Sequence, residues 1–195
     1  MSELLLAAPM RLEAALIASA GGGALVRKTG MGPQRARLAA GELGLQVARA
    51  MLVVGFCGGL DESSLPGEVI VAEEVAAAPG EGPPAEPVAC ELAVPLLGRL
   101  TGLGMKVRTG RVLCVSRPAL GERREELRAG GAIAVDMESV WLAAGARGRP
   151  FGVVRVVLDS PTHELLRPQA LGGALRAARS LRRVATALHD WAPEG

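Results

Sequence analysis

Short apolar runs alternate along the chain with longer stretches in which apolar positions recur every three or four residues. The runs at 4–8, 51–54, 68–73, 132–135 and 151–158 predict strands, because each is short, rich in Leu, Val, Ile or Ala and bounded by Gly, Pro or polar residues. Residues 24–29 predict a further short strand, and 106–115 one or two more. The helical spacing covers 10–20, with Leu12, Leu16 and Ile17 on one side and Gly21-Gly22-Gly23 as the stop. It recurs at 34–43 with Arg35 and Arg37 outward, at 92–103, and at 118–128, where Glu122, Arg123, Arg124, Glu125 and Glu126 read as a solvated face. Residues from 139 onward predict a helix of small apolar residues. A long amphipathic helix follows at 168–191, with Leu175, Ala178, Leu181, Val184 and Leu188 toward the core.

Strands alternating with helices predict an α/β domain of three layers, αβα, around a mostly parallel or mixed twisted sheet. One domain over residues 1–195 is expected from the length. Residues 76–88, dense in Pro and Gly, read as a surface loop, with a lid as the alternative.

Composition narrows the function. The chain is 49% hydrophobic but only 2% aromatic, so Ala, Val, Leu and Gly must do the packing, and the platforms on which nucleic-acid bases stack are scarce. The net charge is +2, with Arg spread along helices among Glu, which argues against nucleic acid as a partner. Cys57, Cys90 and Cys114 lie far apart with no CxxC, so neither a zinc site nor a disulfide framework is expected and a reducing cytoplasm is the natural compartment. No signal peptide and no membrane span are expected.

The candidate chemistry is carboxylate chemistry. The run at 132–135 turns polar at Asp136-Met137-Glu138 before the next helix, a strand-to-helix switch of the kind where open α/β sheets place ligands. Glu13 follows the first strand, and Asp159 ends the last. In a parallel sheet these segments share the carboxyl edge, and Gly55-Phe56-Cys57-Gly58-Gly59 reads as a glycine loop ending at the same edge. Several carboxylates over a glycine-lined floor suit a sugar: they hold hydroxyls, protonate a leaving group and activate water. No metal site is expected. His163 is placed to reach the cleft, while His189 reads as a surface residue of the final helix. The glycines do not form GxGxxG, and there is no GxSxG.

These motifs resemble a family. Val135-Asp136-Met137-Glu138-Ser139 resembles the acid-Met-Glu signature of the purine nucleoside and uridine phosphorylase superfamily, and Gly55–Leu60 its glycine loop. Val154-Arg155-Val156-Val157-Leu158-Asp159 resembles its strand ending in a catalytic Asp. Pro9-Met10-Arg11-Leu12-Glu13 resembles the opening of the methylthioadenosine/S-adenosylhomocysteine nucleosidases, and Gly30-Met31-Gly32 their next glycine turn. The hopanoid-associated nucleosidases are similar at the acid motif and the glycine loop.

The resemblance implies a nucleosidase that hydrolyses the N-ribosidic bond of an adenosine-type nucleoside modified at the 5′ position. Asp159 would protonate N7 and Glu13 would activate water. Glu138 would bind the ribose hydroxyls, with Met137 against the sugar and Asp136, Phe56, Cys57, Gly58 and Gly32 lining the substrate. Asp159 must be protonated to act, so burial or a neighbouring acid is expected to raise its pKa. No cofactor is implied, and a small-molecule nucleoside and a homo-oligomer are. The alternatives are a phosphorylase, using inorganic phosphate as co-substrate, and a nucleoside-binding domain without activity. Phosphorolytic relatives carry an Arg and a Ser where this chain has Val53 and Phe56, which favours water; Arg11, a candidate phosphate ligand, favours the phosphorylase.

Overall fold

The computed structural model describes residues 2–81, 86–163 and 170–193. Three strands run parallel at one side of the sheet: β1 (Ser2–Ala8) lies between β2 (Leu25–Lys28) and β3 (Ala48–Gly59). Leu4 to Ala8 of β1 are buried, as the apolar run demands of a strand covered on both faces. The remaining strands are β4 (Val69–Ala77), β5 (Val88–Ala89), β6 (Val107–Cys114), β7 (Ala132–Asp136) and β8 (Phe151–Asp159). Helices α1 (Arg11–Ala18), α2 (Pro33–Leu43), α3 (Ala93–Gly102), α4 (Glu122–Ala129), α5 (Ser139–Leu142) and α6 (Ala170–His189) cover the two sides of this mixed sheet.

The sheet is not simply open. β3 pairs with β8 in parallel, β8 with β4 antiparallel, β4 with β6 and β6 with β7 in parallel, and β7 returns antiparallel to β3. Those five strands therefore close into a ring, with β1 and β2 extending from β3. The ring exists because β3 is longer than its apolar core suggests. The expected strand at 51–54 continues through the glycines, so Gly55 to Gly59 are sheet residues and not a loop. Absence of side chains at Gly55, Gly58 and Gly59 lets neighbouring side chains crowd the backbone there. The β3–β8 register slips between Cys57 and Gly58, which brings Gly58 opposite Asp159 of β8 and, on its other edge, opposite Val135 of β7. The carboxyl ends of β7 and β8 thus meet at one point of β3.

Several expected boundaries move. α4 begins at Glu122, not 118, and the helix expected from 139 is a single turn followed by a 3-10 turn at Ala143–Ala146. Residues 76–77 belong to β4 and 88–89 to β5, so the irregular stretch is shorter than expected, and its centre at 82–85 lies outside the described residues. On α6, Leu181, Val184 and Leu188 are buried, whereas Leu175 is 58% exposed. His189, expected at the surface, is buried with Nε2 2.9 Å from the Ile17 carbonyl. Among the described residues no helix is long and apolar enough to cross a membrane.

Candidate active site

A cavity of about 260 Å³ opens where β3, β7 and β8 converge. Glu13, Phe56, Cys57, Gly58, Asp136, Met137, Glu138 and Asp159 all line it. The three acids that are far apart in sequence therefore share one wall system. Gly32 does not line it, although its neighbour Met31 does. Arg11, the candidate phosphate ligand, is exposed and does not line the cavity, although its neighbour Met10 does. His163 does not line it either; its Nδ1 lies 2.9 Å from the Thr162 hydroxyl.

Glu13 and Glu138 are held by backbone donors. Glu13, in the first turn of α1, accepts the Met10 N–H at 2.6 Å with Oε2, closing a reciprocal cap on the helix start. Its Oε1 reaches across to β3 and accepts the Phe56 N–H at 2.6 Å. A Cβ on Gly55 would fall 2.5 Å from that oxygen, so the carboxylate fits because residue 55 has no side chain. Glu138, at the N-terminus of α5, accepts the Gly32 N–H at 2.9 Å. Gly32 carries φ 86°, a left-handed conformation that favours glycine, and this turn aims its N–H at the acid.

Behind these acids lies Arg155 of β8, fully buried in an otherwise apolar strand. Its Nε donates to Asp136 Oδ2 at 2.8 Å and its Nη2 lies 2.6 Å from the same oxygen. Nη2 also donates to the Ser139 hydroxyl at 2.9 Å and lies 3.7 Å from Glu138 Oε2. Asp136 is saturated: besides Arg155 it accepts from the Ser139 hydroxyl, from the Cys114 thiol at 2.8 Å, and from the backbone N–H groups of Glu138 and Ser139, each at 3.2 Å. Its carboxylate, expected to touch substrate, lines the cavity with both oxygens already engaged, by Arg155 and the turn into α5 among others. Arg155 Nη1 is different. It is buried without a hydrogen-bond partner among the described residues, and it sits 2.8 Å from the position a Gly55 Cβ would take, on the same side as Glu13.

One guanidinium thus serves three carboxylates, and the charges cannot all be neutralised. Burial pushes Glu13 above the usual carboxylate range, against the pull of Arg155 and the Phe56 and Met10 N–H groups. Burial likewise raises Glu138, to about 7, with Arg155 opposing and Asp136 adding to the rise. Burial acts on Asp136 too, but Arg155 and the donors around it outweigh burial and hold it below its ordinary value. The lasting negative charge therefore resides on Asp136, Glu138 exchanges its proton near neutrality, and Glu13 binds its proton more tightly than an ordinary carboxylate. Burial raises the Cys57 thiol far out of the nucleophilic range.

Asp159, for which burial or a neighbouring acid was expected, faces a cation. Arg124 of α4 is 4% exposed and lines the cavity, with Nη2 in contact with Asp159 Oδ2. It departs from the solvated face expected for its helix. The two side chains form a salt bridge. Arg124 and Arg155 are charged residues of the site that sequence reasoning left out. Arg155 carried a signal, a lone charge within Val-Val-Arg-Val-Val that has to find buried partners. Arg124 carried none, since it is one of several charges in Glu-Arg-Arg-Glu-Glu.

A mixed sheet covered by helices on both sides, with a cavity at converging strand ends, places the chain in the nucleoside phosphorylase-like fold class. Its sequence matches the Phosphorylase superfamily over residues 10–188, and the chain belongs to that family. Similar solved structures include futalosine hydrolase of Helicobacter pylori, with TM-score 0.81, 15% identity, and 97% of each chain covered. The 5′-methylthioadenosine/S-adenosylhomocysteine nucleosidase of Neisseria meningitidis, in complex with methylthio-immucillin-A, is similar at TM-score 0.79 and 18% identity, covering 98% of this chain and 100% of the other. The S-adenosylhomocysteine nucleosidase of Streptococcus pyogenes, in complex with 5-methylthiotubericidin, gives 0.76 and 17% over 96% and 97%. No curated protein matches significantly in sequence.

Proposed function

We propose that the chain is a nucleosidase that hydrolyses the N-ribosidic bond of a purine nucleoside. The observation that carries this reading is that Glu13, Glu138 and Asp159 line one cavity, with the unsatisfied Arg155 Nη1 beside Glu13. Glu138 accepts hydrogen bonds from the ribose 2′ and 3′ hydroxyls, and Met137 packs on the sugar. Asp159, once protonated, gives its proton to N7 as the bond from C1′ to the base breaks and the ribosyl ring becomes oxocarbenium-like. Water held between Glu13 and Arg155 Nη1 adds to C1′ and yields its proton to Glu13, whose proton affinity burial raises, as suits a general base. The products are free base and ribose with its 5′ substituent. A small-molecule nucleoside partner and a homo-oligomer belong to the same proposal.

Charge supports water over phosphate as the nucleophile. The buried cation on that side, Arg155, is already surrounded by Asp136, Glu138 and Glu13, so a phosphate dianion would add charge to an acidic cluster. Val53 is a core residue and Arg11 faces solvent. Release of base from purine nucleosides is expected in phosphate-free buffer, with free ribose as product and no acceleration by added phosphate. Ribose 1-phosphate as the product, formed only when phosphate is present, would replace this reading by the phosphorylase.

The Glu138 carboxylate sets an expected pH profile. Its value in the folded protein, about 7, lies above its ordinary 4.5. Stability from this group is therefore full below about 4.5 and is lost as pH rises through about 7. The diol, by contrast, needs the ionised form. kcat/KM should rise with pH through about 7 while stability declines over the same interval. Glu138→Gln should flatten both limbs. A Gln variant keeping the wild-type pH profile would assign the titration to another group.

A further inference from the structure

Arg124 is the cavity-wall residue that the hydrolytic steps above leave without a task. Its guanidinium is fixed in plane from two directions: Nε donates to the Ala119 carbonyl at 2.8 Å and Nη1 to the Gly59 carbonyl at 3.3 Å. Nη2 contacts Asp159. These acceptors account for three of the five N–H bonds that a guanidinium carries. Gly58 leaves the floor below the pair bare. A Cβ there would lie 3.3 Å from Val135 Cγ2, 3.4 Å from Asp159 Oδ1 and 3.5 Å from Arg124 Nη2, so a flat ring can approach both charged side chains over the glycine, beside the Val135 methyl. Pro118 and Ala119, which precede α4, wall the same part of the cavity with apolar surface.

We propose that Arg124 reads the base: it donates to an oxo group at purine C6 while Asp159 acts at N7, so the substrates are 6-oxopurine nucleosides. This takes the place of the adenosine-type base expected from the sequence, and it rests on the reading above that Asp159 meets N7. A 6-oxopurine shows two acceptors in a row along this edge, O6 and N7, and a guanidinium is the side chain whose donors match them. With Asp159 protonated, the pair offers two donors to two acceptors. Adenine presents an amino donor at C6, which opposes the N–H groups of Arg124. Adenine can turn that amino group to an ionised Asp159, but the acid is then an acceptor and no longer protonates N7.

The test measures binding and turnover separately. Hypoxanthine and adenine are titrated into the wild-type protein and into Arg124→Gln by calorimetry. Ribose release is followed with inosine and adenosine. Hypoxanthine is expected to bind about tenfold or more tighter than adenine in the wild type. Gln, which both donates and accepts, should bring the two bases within about threefold of each other. Should Arg124→Gln fail to fold, Arg124→Lys serves, and the wild-type comparison decides without either. Adenine binding as tightly as hypoxanthine, or neither base binding at millimolar concentration, overturns the proposal. Hypoxanthine preference without ribose release from any nucleoside would leave Arg124 as the base reader and sink the hydrolase reading instead. Faster ribose release from adenosine than from inosine would do the reverse.

Discussion

Arg155→Met is expected to destabilise the protein by about 3–5 kcal/mol at neutral pH, the range for removing one partner of a buried ion pair. Methionine matches much of the volume, so the loss is electrostatic more than a matter of packing. Asp136 would keep its Ser139, Cys114 and backbone donors but lose the guanidinium that outweighs its burial. Glu138 and Glu13 would lose the attraction that opposes theirs. The sign with pH follows. In the wild type the lowered Asp136 contributes stability that is present above its unfolded value of 3.8 and lost as pH falls. In the variant the same group is pushed up and protonates instead, so the gap between the two proteins should narrow toward acid pH. Urea unfolding at pH 7 and at pH 5 measures it. A loss below about 1 kcal/mol at pH 7, or a gap that widens in acid, would show that Arg155 is not the counter-ion of this cluster.

That cluster also shows what a linear reading can reach. The acids were legible because Asp136-Met137-Glu138 interrupts an apolar run at a strand end, a place where unpaired charge is costly. Their convergence was legible too, since strands of one sheet share an edge. The reason they converge was not. It lies in β3 running on through Gly55 to Gly59 and in the slip at Cys57, neither of which leaves a mark in the hydrophobic pattern. Glycine in that run reads as a turn unless one knows that Glu13, Arg155 and Ser64 fill the space its side chains would take. The partners of Asp136 were hidden for a related reason: nothing in its own neighbourhood shows that Arg155 and Cys114, on other strands, engage its oxygens. Arg124 was hidden by helical register. With Leu127 it forms the buried side of α4, and only the packing of that helix over Gly59 and Ala119 decides which of its charges turns inward.

The second large effect concerns the chemical step. Asp159→Asn should lower kcat by about a hundred- to ten-thousandfold, the usual worth of one positioned proton transfer, while nucleoside affinity changes far less. The amide keeps the size of the acid and can still face Arg124, so the cavity is preserved and lost rate reports lost proton donation. A 7-deazapurine nucleoside provides the internal control, because it has carbon where the acid would deliver its proton. Wild-type protein should turn it over slowly, and Asp159→Asn should cause no further loss, since two changes that remove one interaction do not add. Glu13→Gln should also reduce kcat by about a hundredfold or more, but the deaza substrate should remain sensitive to it, because water activation is a separate event. Glu13→Gln further replaces an oxygen that accepts a backbone N–H, from Met10 or Phe56, with an amide donor, so its unfolding midpoint should be recorded alongside its rate. Equal sensitivity of the purine and 7-deazapurine substrates to Asp159→Asn would remove Asp159 from N7. The adjacent Arg124 would then be the group to examine for stabilising the departing base, since a guanidinium can support negative charge on a leaving group without giving up a proton.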